Sequence, residues 1–283
     1  MQTTKSFQDS TKRSFPTLEQ LEQMDRDLSF HPSDPASATA LTKAQVEEFN
    51  ERGFIAPLRV LSDDEVTDYG RYFDGVLERA LADGYDGYSI VSAHMKHGRV
   101  YDLLSHPSIV GWMSDLLSTD LVCWGAHYFC KVAGDEKQVT WHQDANYWPI
   151  SPARAVTAWL AVDDVDVENG CMRFVTGSHR HGPLQARPAT TVENSVLAQS
   201  VDGAEEYGEI YDNELVAGEV SLHSDMLLHS SQPNLSTRRR AGLALRYVPV
   251  DVRATMDWNS EGVLASGSDP SGHWANPPRP QQD

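Results

Sequence analysis

No apolar run in the chain approaches the roughly 20 residues needed to cross a bilayer. The polar N-terminus also has no hydrophobic signal-peptide core, so no membrane span is expected. Cysteine is scarce, with only Cys123, Cys130 and Cys171 in 283 residues. An odd number without CxxC spacing indicates neither a disulfide framework nor a zinc site, and a cytoplasmic location is the default expectation. Basic charge is also in short supply. Lys and Arg number 23 against 41 Asp and Glu, a net of −18, which argues against nucleic acid and anionic membrane surfaces as partners. A few clustered arginines are still compatible with an anionic small molecule. No internal repeat is found, and the length suits one large domain.

What is present falls into zones. Residues 1–40 are polar, carry Pro16, Pro32 and Pro35, and read as an arm with one short helix near Leu18–Leu28. Residues 41–118 read as mainly helical. Thr42-x-x-Gln45 and Ser62-x-x-Glu65 are helix-opening capping patterns, Gly53 is a stop signal, and a further helix follows Pro107. From residue 119 to 250 the chain turns to short aromatic and β-branched runs at Leu121–Val132, Gln138–His142, Ala155–Val162, Cys171–Val175, Glu219–His223, Met226–His229 and Gly242–Val248. Asn169-Gly170 adds a hairpin turn signal. Many short strands separated by turns predict a mainly β sandwich or barrel with flanking helices. Residues 251–283 are a tail rich in Gly, Ser and Pro, either loose or folded over a site mouth as a lid.

Two His-x-Asp triplets occur, His142-x-Asp144 and His223-x-Asp225. With 11 His and 41 acidic residues, about one or two arise by chance, so the triplet alone carries little weight. Two imidazoles and one carboxylate are, however, the set that holds a non-haem Fe(II) on one face and leaves the other open. His142 and Asp144 have a distant third partner in His229, whereas His223 and Asp225 have none with matching context. Arg240, eleven residues past His229, offers a guanidinium for a carboxylate. Singly, each residue has a plainer explanation: a buried hydrogen-bonded pair, a core histidine, an exposed basic turn in Arg238-Arg239-Arg240.

Their order and company carry more. Trp141-His142-Gln143-Asp144 with Tyr147-Trp148, the segment from Asn169-Gly170 to Gly177-Ser178-His179, and Leu228-His229-Ser230-Ser231 with Asn234 and Arg240 resemble three blocks of the phytanoyl-CoA dioxygenase family. Thr176 stands where that family usually has proline. The resemblance covers roughly residues 40–250. It implies a double-stranded β-helix (jelly-roll, cupin-like) core and an Fe(II)/2-oxoglutarate-dependent dioxygenase that consumes O2 and releases succinate and CO2. It also implies that His142, Asp144 and His229 bind Fe(II), that Arg240 pairs with the far carboxylate of 2-oxoglutarate, and that Trp159 and Ser231 line the co-substrate pocket. Retention of Asp144 favours hydroxylation over halogenation.

Around these, Lys131 is a candidate for the co-substrate pocket, and Tyr147, Trp148 and Arg154 are candidates for the substrate pocket. His223 is a candidate for orienting groups behind the ligands. The substrate expected is a small, polar metabolite. Desaturation, cyclisation or epimerisation with the same cofactors, and a non-catalytic metal-binding jelly roll, are the alternatives. Either a monomer or a small homo-oligomer fits.

Overall fold

The computed structural model describes residues 15–283; the opening of the expected arm, residues 1–14, lies outside the described residues. Each N-terminal helix begins where its cap dictates. Helix α1 (Leu18–Gln23) is opened by Thr17 and Gln20, and α2 (Lys43–Arg52) by Thr42 and Gln45 in a reciprocal capping box. Gly53 ends α2 with φ 86°, and a Cβ there would lie 2.5 Å from Nδ1 of His179. Only glycine meets both demands. Helix α3 (Asp63–Ala82) starts at the Ser62–Glu65 box and buries Tyr69, Phe73, Val76 and Leu77. Helices α4 (Gly98–Leu103) and α5 (Pro107–Leu116) follow, with proline in the first turn of α5.

The strands that matter are β1 (Phe54–Arg59), β2 (Leu121–Lys131), β3 (Val139–His142), β4 (Val156–Ala161), β5 (Met172–Val175), β6 (Ile210–Asn213), β7 (Glu219–Ser224), β8 (His229–Ser231), β9 (Arg240–Pro249) and β10 (Val263–Ser266). A seven-stranded antiparallel sheet runs β1–β7–β4–β9–β2–β10, with residues 90–91 also pairing on β2. A four-stranded sheet runs β6–β5–β8–β3. Together they form a jelly roll flanked by helices.

Strand alternation divides the large sheet into two chemically different faces. Leu243, Leu245, Leu160, Ala158, Tyr128 and Ala126 point outward and join Phe73, Val76 and Ile109 of the helices in the main apolar cluster. The inner face carries Trp159, Ala161 and Ala244 against Phe174 and Met172 of the small sheet. It also carries basic side chains, at Arg240 and Lys131, which pair across β9 and β2.

Two departures from the sequence reading, and one alternative it left open, have local causes. The stretch 41–118 also contributes β1, which pairs with β7 at the sheet edge. Strand β8 begins at His229, not at Met226. The N–H of Leu227 donates to Ser224 O at 3.0 Å and that of Leu228 to Ser178 Oγ at 2.9 Å, so the apolar run closes a turn. The tail is not loose: β10 pairs with β2, residues 253–254 pair with 150–151, and Trp258 and Trp274 join Trp124 and Trp148 in one cluster. No helix among the described residues is long and apolar enough to cross a membrane.

Candidate metal centre

His142 ends β3 and His229 begins β8, and the two are directly cross-strand paired. Their rings lie 4.0 Å apart between centroids. Asp144 follows in a short 3-10 turn, Asp144–Asn146, which carries its carboxylate back over the strand ends. Nε2 of His142 is 3.5 Å and Nε2 of His229 is 4.0 Å from Asp144 Oδ1. All three donor atoms fall within 4.8 Å of one another and all three side chains are buried.

The opposite ring nitrogens settle the tautomers. Nδ1 of His142 sits 2.8 Å from Thr140 O, and Nδ1 of His229 sits 2.9 Å from Leu227 O. A carbonyl only accepts, so Nδ1 carries the proton in each ring and each Nε2 presents a lone pair toward the carboxylate. Burial and the neighbouring His142 ring drive the His229 pKa well below its ordinary value, keeping it neutral. Burial opposes ionisation of Asp144, and the field of Arg246 favours it. Two neutral imidazoles and a carboxylate converging on one point fit a divalent iron and keep its net charge low.

Residues between and behind the ligands hold this geometry. Gln143 is fully buried; its Nε2 donates to Met226 O at 2.7 Å and Gly182 O at 3.0 Å, and its Oε1 accepts from Leu184 N at 2.7 Å. It therefore ties the ligand loop to the turn that leads into His229. Ser178, through Leu228 N, fixes the same turn. His223 lies 5.1 Å from the His229 ring, and burial pushes its pKa down to about 4. His179 belongs to the scaffold, with Nε2 at 3.1 Å from Asn50 O.

Of the three consecutive arginines only Arg240 turns inward. Arg239 pairs with Asp163 at 2.8 Å and Asp74 at 2.7 Å, and Arg238 pairs with Asp166. Asn234 shapes the preceding loop, donating to Arg238 O at 2.7 Å and Val132 O at 3.0 Å. Arg240 is buried, its Nε has no hydrogen-bond partner, and its guanidinium lies 4.7 Å over the Trp159 ring. Gly242 makes that stacking possible, since a Cβ there would fall 1.9 Å from the indole. Ser231 is buried two residues beyond His229 on β8. Lys131 bonds the carbonyl of Gln232 and lies 3.4 Å from those of Ser231 and Lys137. Burial first, then repulsion by Arg240, pushes its pKa down to about 6.

The residues expected at the substrate pocket separate. Tyr147 packs edge-on to His142 at 5.9 Å, with its hydroxyl directed at the Gln199 backbone. Trp148 stacks edge-on with Trp124 at 4.7 Å as part of the tail cluster. Arg154 is not brought to the triad. The bend at Pro152 turns it into a cleft of about 580 Å³ formed with Phe30–Ser33 and the end of α5, where it reaches Leu117 O at 3.2 Å and Asp251 at 3.6 Å.

Gln143, His127, Phe129 and Arg246 are absent from the sequence-based candidates. The last three were detectable in principle. Arg246 is an even number of residues from Arg240, and His127 and Phe129 from Lys131, so strand alternation puts all of them on the inner face.

A jelly roll carrying two Nε2 donors and one carboxylate at one end defines a mononuclear non-haem metal oxygenase scaffold. The chain belongs to the phytanoyl-CoA dioxygenase family, whose sequence profile matches residues 49–242. Phytanoyl-CoA dioxygenase domain-containing protein 1 of Bos taurus is 36% identical over 110 residues, 36% of this chain and 36% of its own length. A probable alpha-ketoglutarate-dependent hypophosphite dioxygenase of Stutzerimonas stutzeri is 31% identical over 119 residues, 40% of each chain. The match spans less than half the length of these curated relatives. Among solved structures, the non-haem monooxygenase ThoJ in its apo form superposes with a TM-score of 0.71 at 28% identity, over 84% of this chain and 88% of that one.

Proposed function

We propose that the protein is an Fe(II)/2-oxoglutarate-dependent dioxygenase that hydroxylates a small, polar organic metabolite. The observation that carries this reading is the pairing of two preset Nε2 donors and Asp144 with a buried, uncompensated Arg240 inside the same jelly roll. His142, Asp144 and His229 would hold the metal. Arg240 would take the far carboxylate of 2-oxoglutarate in a charge-assisted, bidentate pair. Bound there with 2-oxoglutarate, Fe(II) supplies the oxidising chemistry by which O2 converts a substrate C–H to C–OH, with succinate and CO2 as the other products.

The chain's own work is positioning. Thr140 O and Leu227 O keep the imidazoles in the ligating tautomer, and Gln143 keeps the Asp144 loop in register with His229. Trp159 offers the Arg240 cation an aromatic face and walls its site from water, which strengthens a carboxylate pair made there. Lys131, tied to the Gln232 carbonyl beside Arg240, would help hold the shape of that end, and Ser231 would offer a hydroxyl. Asp144 occupies the position that halogenases of this superfamily leave open for chloride, which supports hydroxylation.

The test is anaerobic. Fe(II) followed by 2-oxoglutarate should produce the weak visible metal-to-ligand charge-transfer band, and R240Q should need far more 2-oxoglutarate to reach it. Iron that binds without any band in the wild type would overturn the reading in favour of a metal-binding jelly roll without oxygenase chemistry.

A further inference from the structure

Strand β9 places a second guanidinium on the inner face. Arg246 lies six residues beyond Arg240, which at about 3.3 Å per residue separates their Cα atoms by about 20 Å. The two cations therefore serve different ends of the site. It is Arg246, not Arg240, whose field reaches Asp144.

Aromatic rings surround Arg246. Its guanidinium lies 5.3 Å from the Trp148 ring, 5.8 Å from Trp124 and 6.0 Å from Phe129. Opposite it on β2 stands Gly125, beside a bulge that shifts the register between Arg246 and Tyr247, so no side chain from that position fills the space. Arg246, His127, Phe129 and Tyr147 all sit within the fold yet keep accessible surface, while Nε of Arg246 is sealed and unpartnered. Side chains that are interior and still accessible face a cavity. His127 stacks on Phe129 at 4.0 Å, and its Nε2 is spent on Tyr88 O at 2.7 Å.

The charge balance of this pocket is incomplete. Among the described residues no carboxylate is within ion-pairing distance of Arg246. The nearest acid it senses is Asp144, whose charge the function proposed above commits to the metal. A desolvated cation in an aromatic box, with no counter-charge of its own, is a receptor for an anion.

We propose that Arg246 anchors a negatively charged group of the substrate, so that the substrates of this enzyme are small organic acids. This assignment rests on the oxygenase reading for the meaning of the site but makes a separate prediction. Arg240 grips the co-substrate at one end, Arg246 grips the substrate acid at the other, and the C–H bond to be attacked lies between the acid and the His142/Asp144/His229 face.

The experiment uses the Fe(II)- and 2-oxoglutarate-loaded protein under anaerobic conditions. Tryptophan fluorescence, reporting from Trp124 and Trp148, is titrated with phenylacetate, benzoate and hexanoate, each against its primary amide. The acids should bind at least about tenfold more tightly than the amides. R246Q should erase the preference, R246K should keep part of it, and both should retain the wild-type melting profile and bind 2-oxoglutarate within about twofold of wild type. R240Q should do the reverse, weakening 2-oxoglutarate while keeping the acid preference. Equal or absent binding of acids and amides across the panel overturns the proposal. So does a loss of 2-oxoglutarate binding in R246Q comparable with that in R240Q, which would assign Arg246 to the co-substrate. A missing charge-transfer band alongside an intact acid preference would sink the oxygenase reading instead.

Discussion

The two His-x-Asp triplets start from the same pattern and end in opposite electrostatic states. His142 and Asp144 close onto a third donor, His229, and the carboxyl of Asp144 is held ionised. His223 and Asp225 are equally buried, but they diverge. His223 lies behind the His229 ring. Asp225 lines the cleft that Arg154 enters, and its carboxyl accepts from Ala155 N at 3.3 Å and from Ser224 Oγ at 3.4 Å. Burial dominates there and pushes the Asp225 pKa up to about 7. Whether a carboxylate is held ionised or made easier to protonate depends on its burial and on which groups meet it, not on the triplet in which it occurs.

The sharpest way to break this comparison is D144A. Removing one of three donors should cost at least about 100-fold in Fe(II) or Mn(II) affinity, read by metal retention on desalting; full retention would mean that the ion sits elsewhere. Next, R240Q should raise the Kd for 2-oxoglutarate by about 10- to 100-fold, the value of a charge-assisted hydrogen-bonded pair, with metal affinity unchanged. A co-substrate titration of the metal-loaded protein decides it. Q143A leaves every ligand in place and loosens only their support, so a drop of about tenfold in metal affinity is expected. Unchanged affinity would show that the backbone alone holds the loop.

D225N leaves the metal site alone and tests the other triplet. With a native pKa of about 7 against an ordinary 3.8, the folded protein retains a proton that the unfolded chain has released. Stability from this group is therefore full below pH 4 and is lost as the pH rises through 7, with a ceiling of about 4 kcal/mol. Asparagine cannot titrate, so D225N should gain on wild type between pH 5 and pH 8 in denaturant melts, with metal affinity intact. A gap that stays constant with pH would place the titration elsewhere.

Much of the architecture was legible because local chemistry specifies it. The Thr42 and Ser62 boxes mark two helix starts to the residue, the helix read as following Pro107 in fact begins on it, and aromatic and β-branched runs mark most strands. The run Met226–Leu228 misled because its amides are satisfied by Ser224 and Ser178, the latter from 50 residues away. The tail was left open because its composition is loop-like, while its order comes from burying Trp258 and Trp274 against Trp124. Arg154 misled because proximity to the motif in sequence is not proximity to the triad in space.

From the sequence alone came the donor set, its spacing and the identity of Arg240, since residue types and motif order follow directly from the chain. Tertiary structure alone decided which histidine nitrogen faces the metal point, that Arg238 and Arg239 are spent on surface carboxylates, and that Arg246 stands without a counter-charge. Those properties depend on carbonyls, rings and carboxylates contributed by other strands, and a linear pattern does not encode where such groups meet.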